Sequence, residues 1–190
     1  MVILTDEKGN EVRALKFTKI DVDLNETRDF ELVIPASEWA QDLAYGCRVF
    51  IPDTEYGGVI GGRKTSTAEN TVTLTGYCWR GFLYRKIIEP PTGQAYKTVS
   101  GELNSIIADL ITEAGISSLF SVSTVNTGIS VTNYQFDRYI TLLDGIYKML
   151  KTKGYRLGVE YIQQEQGSPG YVQLSAVPVE DYSQSLELSQ

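Results

Sequence analysis

The sequence predicts an α+β protein, strand-rich at its start and mixed in its second half, on three observations. Through the first ninety residues the apolar positions alternate with period two between turn residues. From Val99 the period lengthens to the three-and-four spacing of amphipathic helices. The composition, with 12 Tyr and frequent Val, Ile and Thr, favours strands and argues against an all-helical fold. A chain of 190 residues with 42% hydrophobic content can bury a core without metal or disulfide support.

Ala14-Leu-Lys-Phe-Thr-Lys-Ile-Asp-Val-Asp-Leu24 puts Leu15 and Phe17, then Ile20, Val22 and Leu24, on alternating positions. The phase slips by one at Thr18-Lys19, which predicts a half-buried strand carrying a bulge. After the polar link 25–29, Phe30-Glu-Leu-Val-Ile-Pro35 is a second strand, antiparallel to the first. Ser37–Ala44 reads as a short helix with Ser37 as N-cap, Trp39 and Leu43 on one face, and Gly46 as its stop. Cys47–Pro52 and Tyr56–Arg63 are strand-like runs joined by a turn at Asp53-Thr-Glu55. Thr65-Ser-Thr67 and Thr71–Tyr77 flank a further turn at Ala68-Glu-Asn70. Short strands at this spacing predict an antiparallel β-barrel-like unit over residues 1–97.

A smaller α+β domain follows over residues 98–180. Leu103, Ile106, Ile107, Leu110 and Ile111 mark a helix opened by Ser100 and closed by Gly115. Strand-like runs occupy Leu119–Val125 and Ile129–Phe136. Ile140, Leu143, Ile146, Tyr147 and Leu150 mark a second helix ending at Gly154. Tyr155–Ile162 and Tyr171–Val177, about the turn Gln166–Gly170, form a closing hairpin. Residues 181–190, ending in the alternating Leu186-Glu-Leu-Ser-Gln190, read as a linker or the start of a further strand, as in a fragment of something longer.

Chemistry-bearing residues are sparse. The absence of histidine removes the commonest general base and metal ligand, and with them Ser-His and Cys-His catalysis. A glycosidase needs only two carboxylates. Asp6-Glu7, however, lies in a turn, Asp21 and Asp23 lie opposite the apolar face of their strand, and Glu160 reads as a solvated strand position. Gly57-Gly-Val-Ile-Gly-Gly-Arg-Lys-Thr65 departs from a phosphate-binding loop because Arg63 follows Gly62 where that loop needs Lys, and the setting is strand and hairpin. Paired glycines there fit a bend or a close backbone approach. Asn25-Glu-Thr27 has the form of a glycosylation sequon, which carries meaning only in an exported eukaryotic protein. Cys47 and Cys78 read as buried free thiols, being too few and too distant for a zinc site or a disulfide framework. The sequence thus points to no catalytic, cofactor-binding or metal-binding residue. A net charge of −7 without a basic cluster disfavours nucleic acid as a partner. No basic-then-apolar leader and no apolar run near 18 residues is present, so neither signal-peptide export nor membrane insertion is expected of this segment.

The most distinctive stretch is Leu74-Thr-Gly-Tyr-Cys-Trp-Arg-Gly-Phe-Leu-Tyr-Arg-Lys-Ile-Ile88, in which a strand passes through one helical turn, with Trp79, Phe82 and Leu83 inward, into another apolar strand. It resembles the tail hub family of tailed phages, the tail-associated hub of siphophages and the baseplate hub of contractile tails. The order of the other elements agrees: Phe30–Pro35, a short helix, Gly46 before an apolar strand, the hairpin carrying Gly57–Lys64, then a helix at Leu103–Ala114 and a second ending before Gly154-Tyr155. The resemblance implies the N-terminal part of a structural, non-enzymatic hub protein. Such a protein sits in the virion tail of a phage or prophage and, during assembly, in the host bacterial cytoplasm. It forms a homotrimeric ring that joins the tail tube or distal tail protein to the host-facing tip, with the tape-measure protein as neighbour. The alternatives are a receptor- or carbohydrate-binding module, using Trp39, Trp79 and the tyrosines as a platform, and a carboxylate-only cell-wall glycosidase. The purified chain is expected to leave the turbidity of a peptidoglycan suspension unchanged; clearing that a single Asp or Glu substitution abolishes would reverse the non-enzymatic reading.

Overall fold

Val2-Ile3-Leu4 and Val49-Phe50 are continuous apolar runs, the pattern of strands covered on both faces. In the computed structural model, which describes residues 1–164 and 168–180, every residue of β1 (Val2–Thr5) and β5 (Arg48–Phe50) is buried. The two pair antiparallel, Ile3 opposite Phe50 and Leu4 opposite Val49. Alternation then divides their side chains. Val2, Leu4 and Val49 enter one hydrophobic core, and Ile3 and Phe50 enter a second.

The first core lies against a seven-stranded antiparallel sheet in the order β2 (Glu11–Leu15), β1, β5, β6 (Gly57–Ser66), β7 (Thr71–Cys78), β4 (Asp29–Pro35), β3 (Lys19–Val22). On β4 the expected alternation holds: Phe30, Leu32 and Ile34 are buried and look toward Val72 and Leu74. The stretch 14–24, expected as one bulged strand, is divided between β2 and β3, which occupy opposite edges. The phase slip at Thr18-Lys19 is a corner where the chain leaves one flank of the sheet and joins the other. Seven flat strands would hold those edges about 29 Å apart. The link of residues 16–18 spans at most about 14 Å. The sheet therefore curls until its edges meet, and Leu15 and Phe17 from one side pack into the same core as Ile20 and Val22 from the other. The unit is barrel-like, but no hydrogen-bonded ladder closes it; the chain itself does.

Three further expectations are corrected locally. The helix expected over Ser37–Ala44 is reduced to a 3-10 turn, Ala36–Glu38, preceded by Pro35 and without a side-chain cap from Ser37. Arg13 accounts for this, because its guanidinium donates to the Glu38 carbonyl (2.8 Å) and to the Asp42 carboxylate (2.7 Å), using the acceptor a helix would need. The runs Tyr56–Arg63 and Thr65–Thr67 merge into the single strand β6, whose register slips between Ile60 and Gly62. No strand follows Arg85: Ile87 makes only an isolated bridge to Thr141, and Pro90-Pro91 beyond it lack backbone donors.

The second half holds β8 (Thr98–Glu102), α2 (Leu103–Glu113), β9 (Phe120–Val122), β10 (Ser130–Gln135), α3 (Leu142–Lys151), β11 (Tyr155–Ile162) and β12 (Tyr171–Pro178). β8 and β10 form an antiparallel ribbon; β11 pairs antiparallel with β12, which pairs parallel with β9. Both helices turn the predicted stripes inward, and Gly115 and Gly154 follow them in the left-handed conformation. Glu102, not Ser100, caps α2, because Ser100 is taken up in β8. The turn expected at Gln166–Gly170 lies partly, and the strand expected at Leu186–Gln190 wholly, outside the described residues.

Packing crosses the sequence boundary at residue 97. Phe50, Trp79, Leu83 and Ile88 from the first part share a core with α2, α3 and the β11–β12 hairpin. The Tyr161 ring stacks on Phe50 at 3.9 Å between centroids and lies 5.5 Å from that of Trp79. Arg48, buried, donates to the carbonyls of Gly170 (3.0 Å) and Glu7 (2.9 Å). Arg80 on α1 (Trp79–Tyr84) pairs with Glu55 at 2.5 Å and also donates to the Tyr147 hydroxyl on α3.

Two outcomes follow for stability. Trp79→Ala is expected to cost about 3 to 5 kcal/mol by opening a cavity where the stack meets α1, and a melting curve unchanged by the substitution would refute that placement. At Glu102, burial works to raise the carboxyl pKa, but the Thr127 hydroxyl and the backbone N–H groups of Thr127 and Ser105 outweigh it and hold the value at about 2, below the ordinary 4.5. A depressed value in the fold means that the contribution is complete above pH 4.5 and fades as pH falls toward 2. Glu102→Gln should therefore destabilise by about 1 kcal/mol at neutral pH, with the gap to the parent chain narrowing in acid. Denaturant titrations at a series of pH values read this directly, and a gap that widens in acid would contradict it.

Candidate assembly surface

β7 ends at Cys78 and α1 follows at once, so the side chains from Tyr77 to Arg85 divide between inside and outside. Trp79 and Leu83, four apart, are buried, as the sequence predicts, while Phe82 is only half-buried. Outside, Phe82 meets Tyr77 edge to face at 6.2 Å, the Arg85 guanidinium lies 4.5 Å over the Tyr77 ring and bonds its hydroxyl, and Arg28 lies 3.9 Å over Tyr84. Tyr77 and Tyr84 remain 39% exposed and Ile87 43%.

The backbone fixes this cluster. Arg28 sits at φ +56° in the turn before β4, and its carbonyl accepts from Cys78 N–H at 3.1 Å. α1 lies so close to that turn that a β-carbon at Gly81 would stand 2.1 Å from the Arg28 carbonyl oxygen. The turn itself is held by Asp23, whose carboxylate accepts from the N–H groups of Asn25, Glu26 and Thr27 and is thereby held at a pKa of about 2. The sequon-like Asn25-Glu-Thr27 is this exposed turn.

Beside the cluster lies an acidic sheet face. Asp29 stands opposite Tyr77 in the β4–β7 register, and Glu31 and Asp21 stand opposite one another on β4 and β3. Asp21 and Glu31 are 65% and 49% exposed, with Lys19 reaching both at 3.5 and 3.9 Å.

The other sequence candidates are scattered. Trp79 is core and Trp39 is half-buried beneath Arg63, so the tryptophans form no exposed row. Glu160 is exposed on the rim of a shallow cavity of about 420 Å³ that also touches Glu55 and Arg80, where Glu55 is committed to Arg80. The paired glycines serve close approach: β-carbons at Gly57 and Gly58 would stand 2.5 Å from the Val49 carbonyl oxygen and 2.3 Å from that of Tyr77. Cys47 and Cys78 are buried and unbridged, and burial pushes both thiols up. Among the described residues no group of three or more acidic or Cys side chains is placed to hold a metal ion, and no helix is long and apolar enough to cross a membrane. Pairing of Arg28 with Tyr84, and of Arg85 with Tyr77, was not legible in the sequence, where Arg28 belongs to a polar link 49 residues before Tyr77.

No family model matches the chain, and no curated protein matches it. Among solved structures it is similar to the tail protein from Neisseria meningitidis MC58, with a TM-score of 0.53 and 19% sequence identity over 92% of this chain. The match covers 50% of that protein, so this chain spans about half its length. The likeness is one of fold.

Proposed function

We propose that this chain is a structural component of a phage or prophage tail, the N-terminal part of a hub at the tail tip or baseplate. The observation that carries the reading is the shared fold with a tail protein across 92% of the chain. It is supported independently by the resemblance of the stretch Leu74–Ile88, and of the order of elements around it, to the tail hub family. The hub joins the tail tube or distal tail protein to the host-facing tip, contacts the tape-measure protein, and assembles as a homotrimer in its full-length form. It acts as a scaffold, not as an enzyme, and its partners are proteins. The curled sheet suits that role, because a rigid unit with protected interior faces presents a fixed outer surface to its neighbours. Antibodies raised against the chain should label the distal end of isolated tails in electron micrographs, and the complete open reading frame should sediment as a trimer at tens of micromolar. Label on the capsid alone, or none on the virion, would overturn the tail assignment; a full-length monomer would overturn the hub.

A further inference from the structure

We infer that the cationic aromatic cluster around α1 is a self-association surface that receives the acidic β3–β4 face of a second copy of this chain; the inference rests on the hub reading for its setting. Arg28, Arg85 and Lys86 make no ion pair with a carboxylate among the described residues, although acidic residues outnumber basic ones 24 to 17 in the chain. Arg28 also carries a buried Nε without a hydrogen-bond partner among the described residues, and groups of that kind are rare unless a binding event or a functional constraint explains them.

The cluster has the composition of an interface centre. Tyrosine and arginine are the residues on which binding energy concentrates, and here two tyrosines are held flat under guanidinium groups while keeping 39% of their surface open. Stacking on the rings orients the arginines before any partner arrives, which reduces the ordering cost of binding. Ile87, 43% exposed beside them in sequence, adds an apolar contact.

Charge complementarity selects the occupant. The matching surface is present on the same chain: Asp21, Asp29 and Glu31 project from β3 and β4, with Lys19 the sole basic residue pairing there among the described residues. Two copies related so that one cluster meets the other's acidic face neutralise both surfaces at once. Such opposed charges also exclude the wrong orientation, in which like faces would meet.

Sedimentation velocity on the protein of the complete open reading frame, with the single substitutions Arg85→Glu and Glu31→Lys and the double substitution, tests this surface. Each single charge reversal is expected to weaken association at least about tenfold, and the double variant, which restores opposite charges across the contact, to return to within about threefold of the parent. Association of the parent should also weaken as salt is raised. Single variants that assemble like the parent would overturn the inference, as would a double variant as weak as the singles while melting like the parent. A parent that stays monomeric would overturn it too, whereas labelling of isolated tails with antibody reads the tail assignment separately.

Discussion

The pairing of β1 with β5 is the constraint from which the remaining architecture follows. Six or seven consecutive apolar side chains on two short strands cannot be covered by one layer, because alternate residues face opposite ways. One face therefore needs the curled sheet and the other needs α1, α3 and the β11–β12 hairpin. Phe50 is the point of contact: it leaves the sheet on the far side and is met by Tyr161, itself beside Trp79. Arg48, next in line on the same strand, closes the edge of that contact by bonding two carbonyls that belong to opposite halves of the chain.

This arrangement explains features that are opaque when taken singly. The glycines of β6 and β7 are absences of side chain where other groups must pass: Gly57 leaves room for the Trp79 ring, Gly58 and Gly76 for Phe30. The polar groups near the junction are similarly matched, with Arg80 drawing the β5–β6 turn, α1 and α3 together through Glu55 and Tyr147. Burial of such a pair is favourable only where several partners share the desolvated charge, and three elements supply them here.

Elements whose side chains repeat with one period were legible in the sequence. β4, α2, α3 and the β11–β12 strands appear within a few residues of expectation, because their burial is decided locally by one covered face. Where a distant residue decides the conformation, local pattern misleads. Ser37-Glu-Trp39 carries helical signals, yet Arg13 captures the carbonyl on which the helix would depend. The run 14–24 keeps a nearly continuous strand pattern across a corner, since both halves feed the same core from opposite flanks. At the surface, Tyr77 and Tyr84 look like ordinary strand and helix residues; only the fold shows that Arg28 and Arg85 lie over them.

The corner at residues 16–18 also sets the girth of the curled sheet. Its two rims are tethered by chain and not zipped by hydrogen bonds, so the circumference is fixed by tether length as a belt is fixed by its notch. Each added residue lengthens the tether by about 3.5 Å, and neighbouring strands stand about 4.8 Å apart. Two insertions would thus admit a gap as wide as one more strand, flanked by two unpaired rims able to accept an outside segment. The three residues Lys16-Phe-Thr18 are the difference between a self-contained wall and a socket.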